Sequence, residues 1–110
     1  MTVRYKVGDI TDVTEGIIAH GVNCQGAMGS GVAKALYTKY PKIREEYVLT
    51  NYAGNEALGA VYWVDIRHTD VTVANCYTQE FYGYDGKVYA DLLSIERCLS
   101  TVFSLAKLGE

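Results

Sequence analysis

One stretch, residues 17–36, constrains the fold of this chain more than any other, because an apolar run, a glycine-rich loop and a helix-forming run follow one another there. The apolar run Ile17–Val22 is short enough for a buried strand. Three glycines then fall within residues 26–31, and good helix formers continue from there until Pro41. A strand, a glycine loop and a helix in this order can place backbone N–H groups around an anion.

The spacing of these glycines, G-x-x-G-x-G, differs from the dinucleotide-binding fingerprint G-x-G-x-x-G. No Gly-Lys-Ser/Thr follows, so the loop is not a Walker A sequence either. The pattern alone leaves two interpretations open: a phosphate-binding loop, or a tight strand-to-helix turn that binds nothing.

Composition narrows the class of protein. The 110 residues suit a single domain, 1–110, with one core. The net charge of -3 argues against nucleic acid as a partner, and no apolar run is long enough to span a membrane. The three cysteines are odd in number and far apart, which favours reduced thiols in a cytoplasmic protein. No cluster of His, Cys, Asp or Glu has metal-ligand spacing, so we expect no metal and no other cofactor.

The N-terminal residues predict a strand followed by a turn. Thr2–Val7 alternates polar and apolar residues, which predicts a half-buried strand with Val3, Tyr5 and Val7 inward. Asp9 comes directly after this strand. It is either a turn or capping residue, or a carboxylate at a strand end that accepts a hydrogen bond from a ligand amine.

Periodicity predicts the remaining elements in the order β, α, α, β, β, α. They are the strand Ile17–Asn23, the helices Val32–Tyr40 and Lys42–Asn51, the strands Leu58–Ile66 and Val71–Tyr77, and the helix Leu92–Leu108. The two later strands suit an antiparallel hairpin, and a polar, aromatic loop over 78–86 follows them. Asp91 can cap the last helix, whose expected buried stripe is Leu92, Ile95, Leu99, Val102 and Ala106. This order predicts an α/β sandwich with a mixed sheet.

Three segments, Val7–Thr11, Ala19–Asn23 and Gly26–Ala33, resemble the macrodomains. The most similar branch includes the ADP-ribose 1''-phosphate phosphatases and the terminal ADP-ribose protein glycohydrolase, with small phage and bacterial members. The resemblance covers nearly the whole chain and is most specific in its first third. It implies a three-layer α/β/α sandwich and favours the phosphate-binding interpretation of the glycine loop.

The resemblance also implies roles for individual residues. Asp9 would accept a hydrogen bond from the adenine amino group, and the Ile10 N–H would meet the adenine ring. Asn23 would approach the distal ribose, while the glycine loop would wrap this ribose and the diphosphate. The expected ligand-binding residues are Asp9, Ile10, Asn23, Gln25, Gly26, Met28, Gly29, Ser30, Gly31, Val32, Gln79 and Tyr82.

His20 is the candidate general base, because hydrolysis at the distal ribose needs a group that takes a proton from water. A histidine within a strand is more often a hydrogen-bonded core residue, so both interpretations stay open. Ser30 can orient a phosphate or a water molecule, and Asn23 can hold the ribose. The candidate catalytic residues are therefore His20, Asn23 and Ser30.

Two departures from the macrodomain pattern bear on activity. The glycohydrolase uses a lysine after the strand that corresponds to Val71–Tyr77, and the matching residues 77–79 include none, which argues against a lysine-linked covalent mechanism. The chain also lacks the usual C-terminal strand and closing loop. We therefore expect a C-terminally shortened fold that forms homo-oligomers or recruits a complementing segment.

Two function classes follow. One is a metal-independent hydrolase that acts on the distal end of an ADP-ribose derivative, such as ADP-ribose 1''-phosphate. The other is a module that binds ADP-ribose without turning it over. His20 and Ser30 favour the hydrolase, whereas the missing closing loop favours the binding module. A scaffold whose glycines serve only packing is a third interpretation.

Overall fold

A mixed three-stranded sheet forms the centre of the fold. The computed structural model describes residues 4–24, 28, 31–49, 58–79 and 91–108. Its strands are β1 (Glu15–Asn23), β2 (Val61–Asp65) and β3 (Asp70–Gln79). The central strand β3 pairs with β1 in parallel and with β2 antiparallel. The predicted mixed sheet and the predicted antiparallel hairpin are therefore confirmed.

Helices cover both faces of this sheet. They are α1 (Gly31–Lys39), α2 (Lys42–Leu49) and α3 (Leu92–Leu108). Side chains alternate between the two faces of a strand, so the sheet separates two cores. The larger core joins α1 and α2 to one face through Ile18, Val22, Leu36, Ile43, Tyr47, Val73 and Tyr77. The smaller core joins α3 to the other face through Ala74, Cys76, Cys98 and Val102. This arrangement confirms the three-layer α/β/α sandwich.

The predicted first strand is wrong over the residues that the structure describes. Arg4–Val7 has no regular secondary structure, and the side chains of Tyr5 and Val7 are almost fully exposed. Thr2 and Val3 lie outside the described residues. A strand needs a neighbour for its backbone N–H and C=O groups, and no described strand pairs with this segment. An alternating pattern therefore did not suffice to form a strand here.

The predicted buried stripe of α3 is also wrong at two positions. Leu92 is 70% exposed and Leu99 is 42% exposed, whereas the side chains turned to the sheet are Ser94, Cys98 and Val102. The helix carries two apolar flanks, and the pattern alone does not show which of them meets the sheet. The outward flank includes Leu92, Leu99 and Phe103.

Several element boundaries differ from the prediction. β2 begins at Val61, because Leu58 and Gly59 form a turn in which Gly59 has φ 86°. β3 continues to Gln79, which pairs with Asn23, so the predicted loop begins two residues too early. In α2, Ile43 and Tyr47 are buried, whereas Val48 faces outward. Asn51 and most of the predicted loop, residues 80–86, lie outside the described residues.

The three cysteines are free and buried, which agrees with the expectation of reduced thiols. Burial raises the pKa of Cys76 to about 12, and burial also raises the pKa of Cys98. A thiol is nucleophilic only when it is deprotonated. Cys76 and Cys98 therefore act as small apolar side chains between β3 and α3.

Self-association remains a prediction, and two surfaces of the described residues motivate it. β1 pairs with a described strand on one edge only, and its residues 16–22 carry no Lys, Pro, Asp or Glu that would discourage pairing with another chain. The outward flank of α3 is apolar. We expect the isolated chain to self-associate, or to recruit a complementing segment.

Size-exclusion chromatography with light scattering at high micromolar concentration checks this expectation. The mass should exceed the 12.1 kDa of one chain. Phe103→Glu should lower it, because a charge on the outward flank of α3 opposes apolar association. Ser104→Glu is the matched control, since it adds the same charge at another exposed position of α3. A monomer that binds ADP-ribose tightly without a partner would contradict the expectation.

Candidate functional site

The predicted adenine-binding segment forms a tight, polar turn. Asp9 precedes a short 3-10 helix, Ile10–Asp12, and its Oδ1 accepts hydrogen bonds from the Thr11 hydroxyl at 2.7 Å and the Thr11 N–H at 2.9 Å. These bonds, together with the charge of Lys39, hold the pKa of Asp9 below its usual value. Asp9 is thus an ionised acceptor at neutral pH. The capping role of Asp9 is present and uses Oδ1, and its role in binding a ligand amine stays a prediction.

An open cleft of 560 Å³ joins this turn to the start of α1. Gly8, Asp9, Ile10, Gly31, Val32 and Ala35 line it. Lys39 Nζ also donates to the Thr11 carbonyl, which ties the turn to the far end of α1. The structure therefore brings together two groups of predicted site residues that are more than twenty positions apart in the sequence, Asp9 with Ile10 and Gly31 with Val32.

The backbone conformation at position 31 favours glycine. Its φ is 62°, and a Cβ added there would meet nothing within 4 Å. A β-branched residue such as Val would be strained at this φ whatever the space around it. Gly31 begins α1, whose first N–H groups lack partners within the helix and can donate to an anion.

Asn23 lies at the carboxyl end of β1, where the regular pairing with β3 shifts by one residue between Val22 and Asn23. The buried Tyr47 of α2 donates its hydroxyl to the Asn23 carbonyl at 2.7 Å and to Asn23 Oδ1 at 2.9 Å. The next residue, Cys24, donates its N–H to the Gln79 carbonyl at 3.1 Å. Two predicted site residues, Asn23 and Gln79, therefore lie side by side at one end of the sheet.

His20 lies inside the larger core and is only 8% exposed. It sits directly opposite Asn75 in the β1–β3 register, and its Nε2 lies 2.6 Å from Asn75 Oδ1, so the ring donates this hydrogen bond. Burial lowers the pKa of His20, and the bond to Asn75 opposes that effect only partly. The geometry favours the core interpretation of His20, and its role as a general base stays a prediction.

The remaining predicted residues divide into two groups. The side chain of Met28 is buried in the larger core, and its role in ligand binding stays a prediction. Gln25, Gly26, Gly29, Ser30 and Tyr82 lie outside the described residues. No group of three His, Cys, Asp or Glu side chains that could hold a metal ion occurs within the described part of the chain.

The burial of His20 makes folding stability depend on pH. The pKa of His20 is lowered from 6.5 in the folded chain. Below pH 6.5 the unfolded chain therefore binds a proton at His20, whereas the folded chain does not. The free energy of unfolding should therefore fall as the pH drops below 6.5, by up to about 1.4 kcal/mol per pH unit, until the lower pKa of the folded state is reached.

Urea unfolding between about pH 7 and pH 5 measures this dependence. The variant His20→Gln keeps a donor for Asn75 and has no titrating ring, so its stability should fall less steeply over the same range. If the free energy of unfolding depended equally on pH in the parent protein and in His20→Gln, the lowered pKa of His20 would be contradicted.

Comparison with known proteins adds to this geometry. No protein-family model matches the chain. An uncharacterized 17.5 kDa protein of Enterobacteria phage T4 is 42% identical over 84 residues, which are 72% of this chain and 54% of that protein. The ADP-ribose 1''-phosphate phosphatase of Candida albicans is 28% identical over 65 residues, or 59% of this chain and 42% of the enzyme. The chain thus spans about half the length of these curated relatives.

Solved structures match more of the chain. A macrodomain protein from Streptomyces coelicolor superposes with a TM-score of 0.74 at 27% identity, over 91% of this chain and 68% of that protein. The macrodomain of Mycobacterium tuberculosis DarG superposes with a TM-score of 0.77 at 22% identity, over 94% and 66%. The chain has a macrodomain-like fold. The resemblance of the three sequence segments to the macrodomains is therefore confirmed at the level of the fold.

Two residues of the candidate site, Tyr47 and Asn75, were not predicted from the sequence. Tyr47 is the first of them, and no spacing rule pairs it with Asn23. Asn75 gave a usable signal, because it is a polar residue within the apolar strand Val71–Tyr77.

In the described residues, no helix is both long and apolar enough to cross a bilayer.

Proposed function

We propose that the chain binds ADP-ribose or an ADP-ribose derivative in the cleft between the Asp9 turn and α1. The observation that carries this proposal is the cleft itself. It places Asp9 and Ile10, which the resemblance assigns to adenine, beside Gly31 and Val32, which it assigns to the distal ribose and diphosphate. The macrodomain-like fold supports the same ligand class, and so does the similarity to an ADP-ribose 1''-phosphate phosphatase.

The chemistry of the cleft suits a nucleotide with a free base amine and a diphosphate. The Asp9 carboxylate has only acceptor atoms, so it pairs with an N–H donor such as the adenine amino group. The first N–H groups of α1 and the positive end of its dipole suit phosphate oxygens. The exposed side chains of Ile10 and Val32 offer apolar contact to the base or the sugar.

The variant Asp9→Ser tests this arrangement. Serine also caps a helical turn, so the 3-10 helix should persist while the carboxylate is lost. We expect the Kd for ADP-ribose, measured by calorimetry, to rise about tenfold, because a bond to a charged acceptor is removed. Asp70→Ser is the matched control, since Asp70 is exposed at the opposite end of β3. Unchanged affinity in a folded Asp9→Ser protein would reduce Asp9 to a turn residue.

Hydrolysis at the distal ribose is the second proposed function, and the similarity to the Candida albicans phosphatase favours it. With ADP-ribose 1''-phosphate, water would add to phosphorus, the P–O bond to the ribose would break, and the ribose oxygen would take a proton. Asn23 would hold the ribose, Ser30 would orient the phosphate, and His20 is the candidate base. A module that binds without turnover is the alternative.

Release of inorganic phosphate from ADP-ribose 1''-phosphate distinguishes these possibilities. No release by the parent protein would favour the binding module. If release occurs, His20→Gln should lower kcat by about 10²–10⁴-fold, because the candidate base is lost. A kcat within about tenfold of the parent value would remove His20 from the mechanism and leave it as the buried partner of Asn75.

A further inference from the structure

The Asp9 turn, which consists of Asp9 and the 3-10 helix Ile10–Asp12, has little packing of its own. None of the three residues of this helix is buried. The preceding residues 4–8 are exposed as well and lie in no helix or strand. A single helical turn is not stable by itself, so its position depends on its contacts with the rest of the fold. After the turn, Val13 packs against the larger core and holds one side of it.

Lys39 provides a second attachment, from α1. Its Nζ donates a hydrogen bond to the Thr11 carbonyl, across 28 positions of sequence. Thr11 in turn holds Asp9, because the Thr11 N–H and hydroxyl both donate to Asp9 Oδ1. A continuous chain of hydrogen bonds therefore runs from the end of α1 through Thr11 to the Asp9 carboxylate.

The ammonium group of Lys39 is itself held near the turn. It lies 5.4 Å from the centroid of the Tyr40 ring, a distance at which an aromatic ring attracts a cation. Lys39 also ends α1, where a positive charge suits the negative end of the helix dipole. The hydrogen bonds from Thr11, and to a smaller extent the charge of Lys39, keep the pKa of Asp9 below its usual value. Lys39 thus acts on Asp9 through space as well as through Thr11.

Lys39 also lies at one end of the helix face that borders the cleft. Gly31 and Ala35 line the cleft, and Lys39 follows Ala35 at the same spacing of four residues, which places all three on one side of α1. The Asp9 turn forms one wall of this cleft and α1 forms the other. The bond from Lys39 to Thr11 joins the two walls and so fixes the distance between them.

We propose that Lys39 is a positioning residue of the ligand site, which holds the Asp9 turn against α1 so that Asp9 selects a base that carries a free amine. This inference rests on the proposed binding of ADP-ribose. Lys39 is not among the described residues that line the cleft, and its effect on the ligand passes through Thr11 and Asp9.

The ligands AMP and IMP test this role, because IMP has a carbonyl oxygen where AMP has the base amine. A carboxylate has only acceptor atoms, so the parent protein should bind AMP more tightly than IMP. In Lys39→Met, we expect the Kd for AMP, measured by calorimetry, to rise about three- to tenfold, the range for one weakened hydrogen bond. The Kd for IMP should change by less than about twofold. General damage to the cleft would instead weaken both ligands to the same extent.

Two further variants control for charge and for the hydrogen bond. Lys34→Met removes the same charge from another exposed position of α1, and we expect it to bind AMP and IMP as the parent protein does. Lys39→Arg keeps a cationic donor for the Thr11 carbonyl, so it should keep the preference for AMP. Lys39 and Lys34 are both exposed, so none of these substitutions should prevent folding.

The outcomes separate the two proposals. A parent protein that binds neither AMP nor ADP-ribose overturns the proposed function and the role of Lys39 with it. A parent protein that binds ADP-ribose but does not prefer AMP to IMP overturns the positioning role alone. An unchanged preference in Lys39→Met does the same, and so does an equal loss of preference in Lys34→Met or in Lys39→Arg.

Discussion

The parallel pairing of β1 with β3 is the constraint on which the rest of the structure depends. It runs from Glu15 opposite Asp70 to Asn23 opposite Gln79 and brings the ends of both strands to one edge of the sheet. Parallel strands need a crossover, and here the crossover contains α1, α2 and β2. The start of α1 therefore lies at the end of β1, beside the turn that holds Asp9.

A buried polar pair sits inside this pairing and helps to specify its register. His20 and Asn75 are directly opposite one another, and a shift of either strand would separate them. Their other buried atoms, His20 Nδ1 and Asn75 Nδ2, have no hydrogen-bond partner among the described residues. Each such atom costs about 1–3 kcal/mol, so the pair is better explained by specificity of register than by a gain in stability.

The sequence predicted the parts of the fold that depend on local pattern. The strands β1, β2 and β3, the helices and the Asp91 cap follow from periodicity and capping chemistry, and Asp91 Oδ2 does accept the Ser94 N–H at 3.0 Å. Features set by distant packing were not predictable in this way. Arg4–Val7 alternates like a strand but has no described partner, and α3 turns Cys98 instead of Leu99 towards the sheet. The Tyr47–Asn23 contact also depends on how α2 lies across the sheet.

The central claim is that the cleft between the Asp9 turn and α1 binds ADP-ribose, and backbone amide NMR during an ADP-ribose titration tests it most directly. We expect the largest shifts on the amides of Asp9, Ile10, Val32 and Asn23. A second cleft of 820 Å³, lined by Tyr37, Thr38, Pro41, Arg44, Glu45 and Val48, provides an internal comparison. Saturable shifts centred on that second cleft, or no saturable shifts at all, would contradict the account.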